Sequence, residues 1–177
     1  VKPLLATLVV FASVTAGAEE RYDHRGSLGL LVGGSIERKD SANNNSPQNS
    51  ADELGGWRGS AELGGTIAVG SDGNDFKLVV RAQFGGAFDL GIYSGYRGYF
   101  SIGQWKTFFD LDLAGHITPL FAPHVTVGPR VGVGVQLDFL PIMGAYAVLG
   151  GQIGFGDGLR YGAELTIGFH FRSYLLE

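Results

Sequence analysis

The sequence predicts an all-β fold: an eight-stranded, antiparallel, up-and-down transmembrane β-barrel. Three observations predict it. Long segments alternate apolar and polar residues with period two. Turn chemistry separates successive segments. The polar faces carry glycine and nearly balanced charge, not the lysine-rich mixture of a solvent surface.

The alternation is plainest in HVTVGPRVGVGVQLDF, residues 124–139. Val125, Val127, Pro129, Val131, Val133, Val135, Leu137 and Phe139 fall on one face. His124, Thr126, Gly128, Arg130, Gly132, Gly134, Gln136 and Asp138 fall on the other. Successive strand side chains point to opposite faces, whereas a helix would scatter both sets around its circumference.

Taken in order, the first strand is predicted at 25–38, with Glu37 on its polar face. The segment KDSANNNSPQNSADELGG, residues 39–56, follows. It is rich in Asn, Ser and Asp and nearly lacks apolar residues, so it reads as a long exposed loop. The second strand, 56–70, opens on Trp57 and carries Arg58 and Glu62 on its polar face. Ser71-Asp72-Gly73-Asn74 is a hairpin signal. The third strand, 75–90, alternates from Phe76 to Leu90 on one face and from Asp75 to Asp89 on the other, with Phe76 and Phe88 bracketing it. The fourth, 93–103, contributes Arg97. The fifth, 105–119, starts at Trp105 and shares one face among Lys106, Asp110, Asp112 and His116.

The sixth strand, 123–139, ends before Leu140-Pro141, and Pro129 inside it predicts a bulge or a strand end. The seventh, 142–155, alternates poorly, and a glycine bulge near Gly150-Gly151 is expected to shift its register. Gly156-Asp157-Gly158 marks the last hairpin, and the eighth strand is predicted at 159–175, with Tyr161 and Phe171 towards its ends. Eight such strands joined by short turns can close on themselves and abolish exposed edges.

A soluble barrel would put the apolar face inside, and a membrane barrel reverses it. Glycine placement favours the reversal. Gly128, Gly132, Gly134, Gly162 and Gly168 sit on polar faces. Glycine weakens a solvated strand but makes room for long side chains inside a narrow barrel. Charge balance agrees. Arg58, Lys77, Arg81, Arg97, Lys106, Arg130, Arg160 and Arg172 stand against Glu37, Glu62, Asp89, Asp110, Asp112, Asp138 and Glu164. Buried charge must be paired, and arginine is suited to such pairs. Aromatic placement agrees too: Trp57, Phe76, Phe88, Trp105, Tyr161 and Phe171 lie towards strand ends, as interfacial girdles do. The predicted lumen network is Arg81, Arg97, Asp110, Asp112, Arg130 and Glu164. An even strand count places both barrel ends of the chain on one side.

The N-terminus, VKPLLATLVVFASVTAGAEE, combines Lys2, an apolar run from Leu4 to Val14 and Ala16-Gly17-Ala18. This is the layout of a secretory signal peptide over 1–18, leaving a barrel domain over 19–177. The expected location is the bacterial outer membrane. The absence of cysteine excludes disulfides and thiolate chemistry. A net charge of −4, without a Lys/Arg cluster, argues against nucleic acid.

With these features in place, the chain resembles the small eight-stranded bacterial outer-membrane barrels of the OmpA/OmpX type, over nearly all of the mature sequence. The stretch DLDLAGHITPLFAPHVTVGPRVGVGV also looks like outer-membrane proteins of myxobacterial type. The resemblance implies outer-membrane lipid and the barrel-assembly machinery as partners, and a monomer. It implies a structural or surface-interaction role and no cofactor. The chain departs from that class at Tyr174-Leu175-Leu176-Glu177, where a terminal aromatic residue is usual.

Chemistry finds little footing. Asp110, Asp112, His116 and His124 offer metal-ligand types, but neighbouring arginines make ion pairing the expected use. A lipid-modifying barrel enzyme would need a Ser–His pair facing lipid, and none can be named, so the sequence reads as non-enzymatic. His24 precedes the first strand, and the other histidines fall on lumen faces. The remaining alternatives are a narrow ion-conducting pore and a soluble periplasmic ligand-binding barrel with its faces inverted. Loop 39–56 is the candidate for surface contacts.

Overall fold

The computed structural model describes residues 26–40, 56–69, 74–85, 88–101, 103–118, 124–140, 142–156 and 158–173. The expected signal peptide 1–18, His24, residues 41–55 of the long loop and the Tyr174–Glu177 terminus lie outside these residues.

Eight strands follow in chain order: β1 (Gly26–Asp40), β2 (Gly56–Ala68), β3 (Asn74–Phe84), β4 (Asp89–Tyr99), β5 (Trp105–Thr118), β6 (His124–Leu140), β7 (Met143–Gly156) and β8 (Leu159–Ser173). Each pairs antiparallel with its sequence neighbours, and β1 pairs with β8, so the sheet closes into a barrel. Gly26 lies opposite Ser173, which puts the first and last strand ends at one rim. The β2–β3, β4–β5 and β6–β7 connections share that rim, here called the terminal rim. The opposite, loop rim carries the β1–β2, β3–β4, β5–β6 and β7–β8 connections.

Closure turns every strand into a divider between two environments. Apart from Arg38, the charged residues whose side chains are described point inward and are buried. Inward cations are Arg58, Lys77, Arg81, Arg97, Lys106, Arg130, Arg160 and Arg172. Inward anions are Glu37, Glu62, Asp75, Asp89, Asp110, Asp112, Asp138 and Glu164. Among the described residues the two sets match in number. The apolar residues point outward: Leu30 is 59% exposed, Val133 58% and Leu165 55%. A contiguous apolar exterior of this extent is foreign to a water-soluble monomer. The chain is therefore an all-β, closed eight-stranded barrel with the face assignment of a membrane barrel.

Three local expectations are corrected. The predicted third strand, 75–90, is two elements. It ends at Phe84, turns through Gly85 at a φ of 109°, and β4 begins at Asp89 rather than at residue 93. Phe88 therefore does not bracket β3; it lies in the connection, its ring 5.6 Å from that of Phe84.

Pro129 neither ends β6 nor shifts its register. It pairs with Leu113 of β5, while the β6–β7 partners resume in the same register on either side of Gly128 and Pro129. Its side chain is on the outward, exposed face. Nor do Gly150 and Gly151 shift the register. They lie opposite Gly132 and Val131 within a regular run, and the irregularity of this pair falls between Asp138 and Leu140, at the terminal rim. The last hairpin uses Gly156 and Gly158 at φ 153° and 137°, conformations that a side chain would strain.

Candidate functional site: the polar lumen and the apolar belt

The inward charges sort into three layers between the rims. The middle layer is a continuous chain of alternating sign. Glu62 of β2 meets Arg81 of β3 at 2.7 Å. Arg81 donates to Glu164 of β8. Glu164 also accepts from Arg130 of β6, whose Nε lies at 2.6 Å. Arg130 reaches on to Asp112 of β5. Lys77 of β3 then bridges Asp112 and Asp110, at 2.6 Å to each. Arg97 of β4 closes on Asp110 with two bonds of 2.8 and 3.0 Å. Eight charged groups from six strands thus span the lumen.

The layer nearer the loop rim is built around Glu37 and Asp89. Arg160 lies 2.5 Å from each of them. Arg58 adds longer contacts of 3.5 and 3.8 Å to the same pair. Gln83 donates to Glu37 at 2.5 Å. His116 Nδ1 lies 3.2 Å from Asp89, and its Nε2 faces Gln152 at 2.9 Å and the Tyr93 hydroxyl at 3.3 Å. An Asp–His pair is present, but an amide and a phenol occupy the place where a nucleophilic hydroxyl would stand. The layer at the terminal rim centres on Asp138, which receives Lys106 at 3.2 Å, His170 at 3.2 Å and Arg172.

All six residues of the expected lumen network thus sit in the middle layer and are joined by the contacts above. Asp110 bonds to Lys77 and Arg97, Asp112 uses one oxygen for both Lys77 and Arg130, and His116 belongs to a different layer. Among the described residues, no three His, Asp or Glu side chains are grouped to hold a metal ion.

Aromatic rings inside the lumen were missed by the polar-face reading. Tyr93 and Phe108 are each 1% exposed. The Arg97 guanidinium lies 3.9 Å from the Phe108 ring centre, and that of Arg81 lies 4.4 Å from the Tyr93 centre. Such stacking satisfies the guanidinium faces while the edges make ion pairs. Strict parity could have found these rings, since Tyr93 shares a face with Arg97 and Phe108 with Asp110. What space remains includes a cavity of about 20 Å³ bordered by Glu62, Arg81, Tyr146 and Thr166. That is room for about one water molecule.

The outer surface is an aliphatic belt with aromatics towards both rims. Trp57 and Tyr161 lie towards the loop rim, exposed by 78% and 37%, and Phe88 is half-buried in the β3–β4 connection there. Phe76, Trp105 and Phe171 lie towards the terminal rim, exposed by about half. Sequence reading left out Phe84 and Phe155 at the loop rim, and Tyr96, Phe100, Phe109 and Phe139 at the terminal rim. Phe109 is in ring contact with Tyr96 and Phe100, at 5.9 and 5.3 Å.

Solved structures with the same architecture decide the fold. Neisserial surface protein A superposes with a TM-score of 0.61 at 13% identity, covering 82% of this chain and 97% of that one. The N-terminal barrel domain of Pseudomonas aeruginosa OprF gives 0.56 at 15% identity, covering 84% and 98%. The chain has the fold of the small outer-membrane barrels. A designed transmembrane β-barrel also superposes on this outer-membrane-type barrel, with a TM-score of 0.51 at 12% identity over 86% of this chain and 99% of that one. No protein-family model and no curated protein matches the sequence. The comparisons lend no support to the myxobacterial resemblance.

Proposed function

We propose that this protein is a bacterial outer-membrane barrel with a structural or surface-interaction role and a lumen closed by its own ion pairs. Export by residues 1–18, insertion by the barrel-assembly machinery and a monomeric state belong to the same reading. One observation carries it: a closed barrel whose large aliphatic side chains face outward and whose charges face inward. Such a surface is stable only in lipid, and closure satisfies the backbone groups that lipid cannot. The fold it shares with outer-membrane barrels supports the location. The polar loop 39–56 leaves from the rim opposite the strand termini and is the proposed surface-facing segment. Catalysis is not part of the proposal, because the described lumen histidines, His116 and His170, are engaged with carboxylate, amide and phenol groups.

The test is fractionation followed by electrophoresis with and without boiling. The expected result is protein in the outer-membrane fraction, with a mobility that changes on heating as the closed barrel opens. Protein that stays in the periplasmic extract, soluble without detergent and with unchanged mobility, would overturn the reading.

A further inference from the structure

The charged layers do not fill the lumen evenly. The cavity of about 20 Å³ is bordered on β1 and β2 by small inward residues, Ser27 and Gly29 on one strand and Gly64 and Thr66 on the other. The large inward side chains Tyr93, Arg97 and Phe108 stand on β4 and β5 instead. The cavity border runs from Glu62 and Arg81 in the middle layer to Ser27 and His170 at the terminal rim. It includes neither Glu37 nor Asp89, around which the loop-rim layer is built.

Tyr146 reaches the cavity from β7. Its hydroxyl oxygen lies over Gly29, 2.6 Å from where a Cβ would stand. Tyr146 faces inward and yet is only half-buried, whereas Glu37, Asp89, His116 and Arg160 are buried. Solvent therefore comes closer to the cavity from the terminal rim than from the loop rim.

Two groups on the cavity border are buried with a hydrogen bond unmade. Thr166 is 1% exposed, and its Oγ1 has no partner among the described protein groups. Arg81 is fully buried. Its Nη1 donates to Glu164 and its Nη2 faces Glu62, but its Nε has no acceptor. Leaving such groups unsatisfied is costly, and native interiors rarely do so. A polar cavity of this size holds a water molecule when about two to four polar groups surround it. Water suits these groups better than an anion does. A halide could accept from Thr166 and Arg81 but would face the Glu62 carboxylate, whereas water accepts from both and donates to Glu62.

We infer that the cavity is a binding site for a buried water molecule that bridges Thr166, Arg81 and Glu62 and enters from the terminal rim past Tyr146. The inference deepens the closed-lumen reading above and rests on it. The seal lies in the loop-rim and middle layers, and the half of the lumen towards the strand termini is hydrated.

The Nε–H of Arg81 is the reporter. Protein carrying isotope-labelled arginine is placed in nanodiscs, and nuclear magnetic resonance follows that proton. The expected result is a cross-relaxation peak between it and long-lived water. Thr166→Val keeps the shape of the side chain and removes the hydroxyl. It should weaken the peak and lower the urea midpoint of unfolding, whereas an orphan hydroxyl would leave the midpoint unchanged or raise it. Tyr146→Ala should speed exchange of the Nε–H with bulk water several-fold. Gln152→Ala, which loosens the loop-rim layer at His116, should leave that rate close to wild type. Replacing chloride by bromide should not move the signal.

A folded barrel without the water peak would overturn the inference. So would a Thr166→Val midpoint at or above wild type, exchange quickened by Gln152→Ala but not by Tyr146→Ala, or a signal shift that saturates with halide. Heat-shifted mobility is measured first on every variant. A wild-type protein that neither enters nanodiscs nor shifts would overturn the membrane reading and this inference together. Correct insertion with any of the four contrary results overturns the inference alone.

Discussion

Arg130 shows how a single residue is committed in this lumen. Its guanidinium joins Glu164 to Asp112 and lies 5.2 Å from the Tyr93 ring centre. Leucine would fill part of the space but leave two buried carboxylates short of a partner. Removing one member of a buried ion pair costs about 3–5 kcal/mol, so Arg130→Leu should lower stability by that order. Arg58→Leu should cost clearly less, because Arg58 approaches Glu37 and Asp89 at 3.5 and 3.8 Å and both retain Arg160 at 2.5 Å. Urea titration of the refolded barrels in lipid vesicles gives the comparison, and equal midpoints for the two variants would refute the ranking. The lumen glycines belong to this scale too, for more than one reason. A Cβ at Gly134 would strike the Phe108 ring and one at Gly150 the Glu164 side chain, which is glycine making room for its neighbours. At Gly128 and Gly168 a Cβ would instead fall 2.0 and 2.2 Å from a carbonyl oxygen of the adjacent strand. There the close approach of backbones forbids a side chain.

At the scale of the element, β6 offers the cleanest experiment. Its outward face runs from Val125 to Phe139 through Val131, Val133 and Val135. In lipid, a charge on that face costs about 2–4 kcal/mol at the bilayer midplane and about 0–1 near the interface. Val133→Arg should therefore be strongly destabilising and Val125→Arg nearly neutral, by the same urea titration. In water both sites are exposed, at 58% and 45%, and both changes would be mild. A flat profile along β6 would thus argue for a soluble barrel. Strand character and facing were legible in the sequence because period-two alternation is a direct image of the pleat. The β3–β4 boundary was not. The residues between Phe84 and Asp89 leave the parity unchanged, with inward Arg81 and Gln83 before the turn and inward Asp89, Gly91 and Tyr93 after it. Alternation therefore runs on through a turn that Gly85 makes. Pro129 misled for a different reason. Proline removes one donor, and here its strand keeps regular partners on the β5 side, so neither a bulge nor a strand end is required. The arginine-stacked rings of Tyr93 and Phe108 were hidden by residue type, since an aromatic residue on a charged face looks like an exception until its cation is located.

At the scale of the whole molecule, the question is whether the lumen conducts. Barrels that leave an aqueous channel are built from about 16 strands, and eight give an interior just wide enough for side chains. Here that interior is crossed by the alternating run Glu62, Arg81, Glu164, Arg130, Asp112, Lys77, Asp110 and Arg97, braced by Tyr93 and Phe108. An ion passing through would have to separate several of these pairs at once, in a region with little water to solvate them. Each opened pair exposes two charges whose solvation is lost, so the barrier grows with every bond broken. Raising the salt concentration should do little, because screening acts on exposed charges and these are buried. The expectation for purified protein in planar bilayers is a flat baseline, without steady unitary steps, across a range of salt. Shortening the crossing should change that. Arg81→Ala combined with Glu164→Ala removes the link between β3 and β8 while leaving net charge unchanged, and should admit intermittent current if the variant still shows heat-shifted mobility. Steady, ion-selective steps from the unaltered protein would mean that the pairs exchange partners readily, and would revive the narrow-pore alternative.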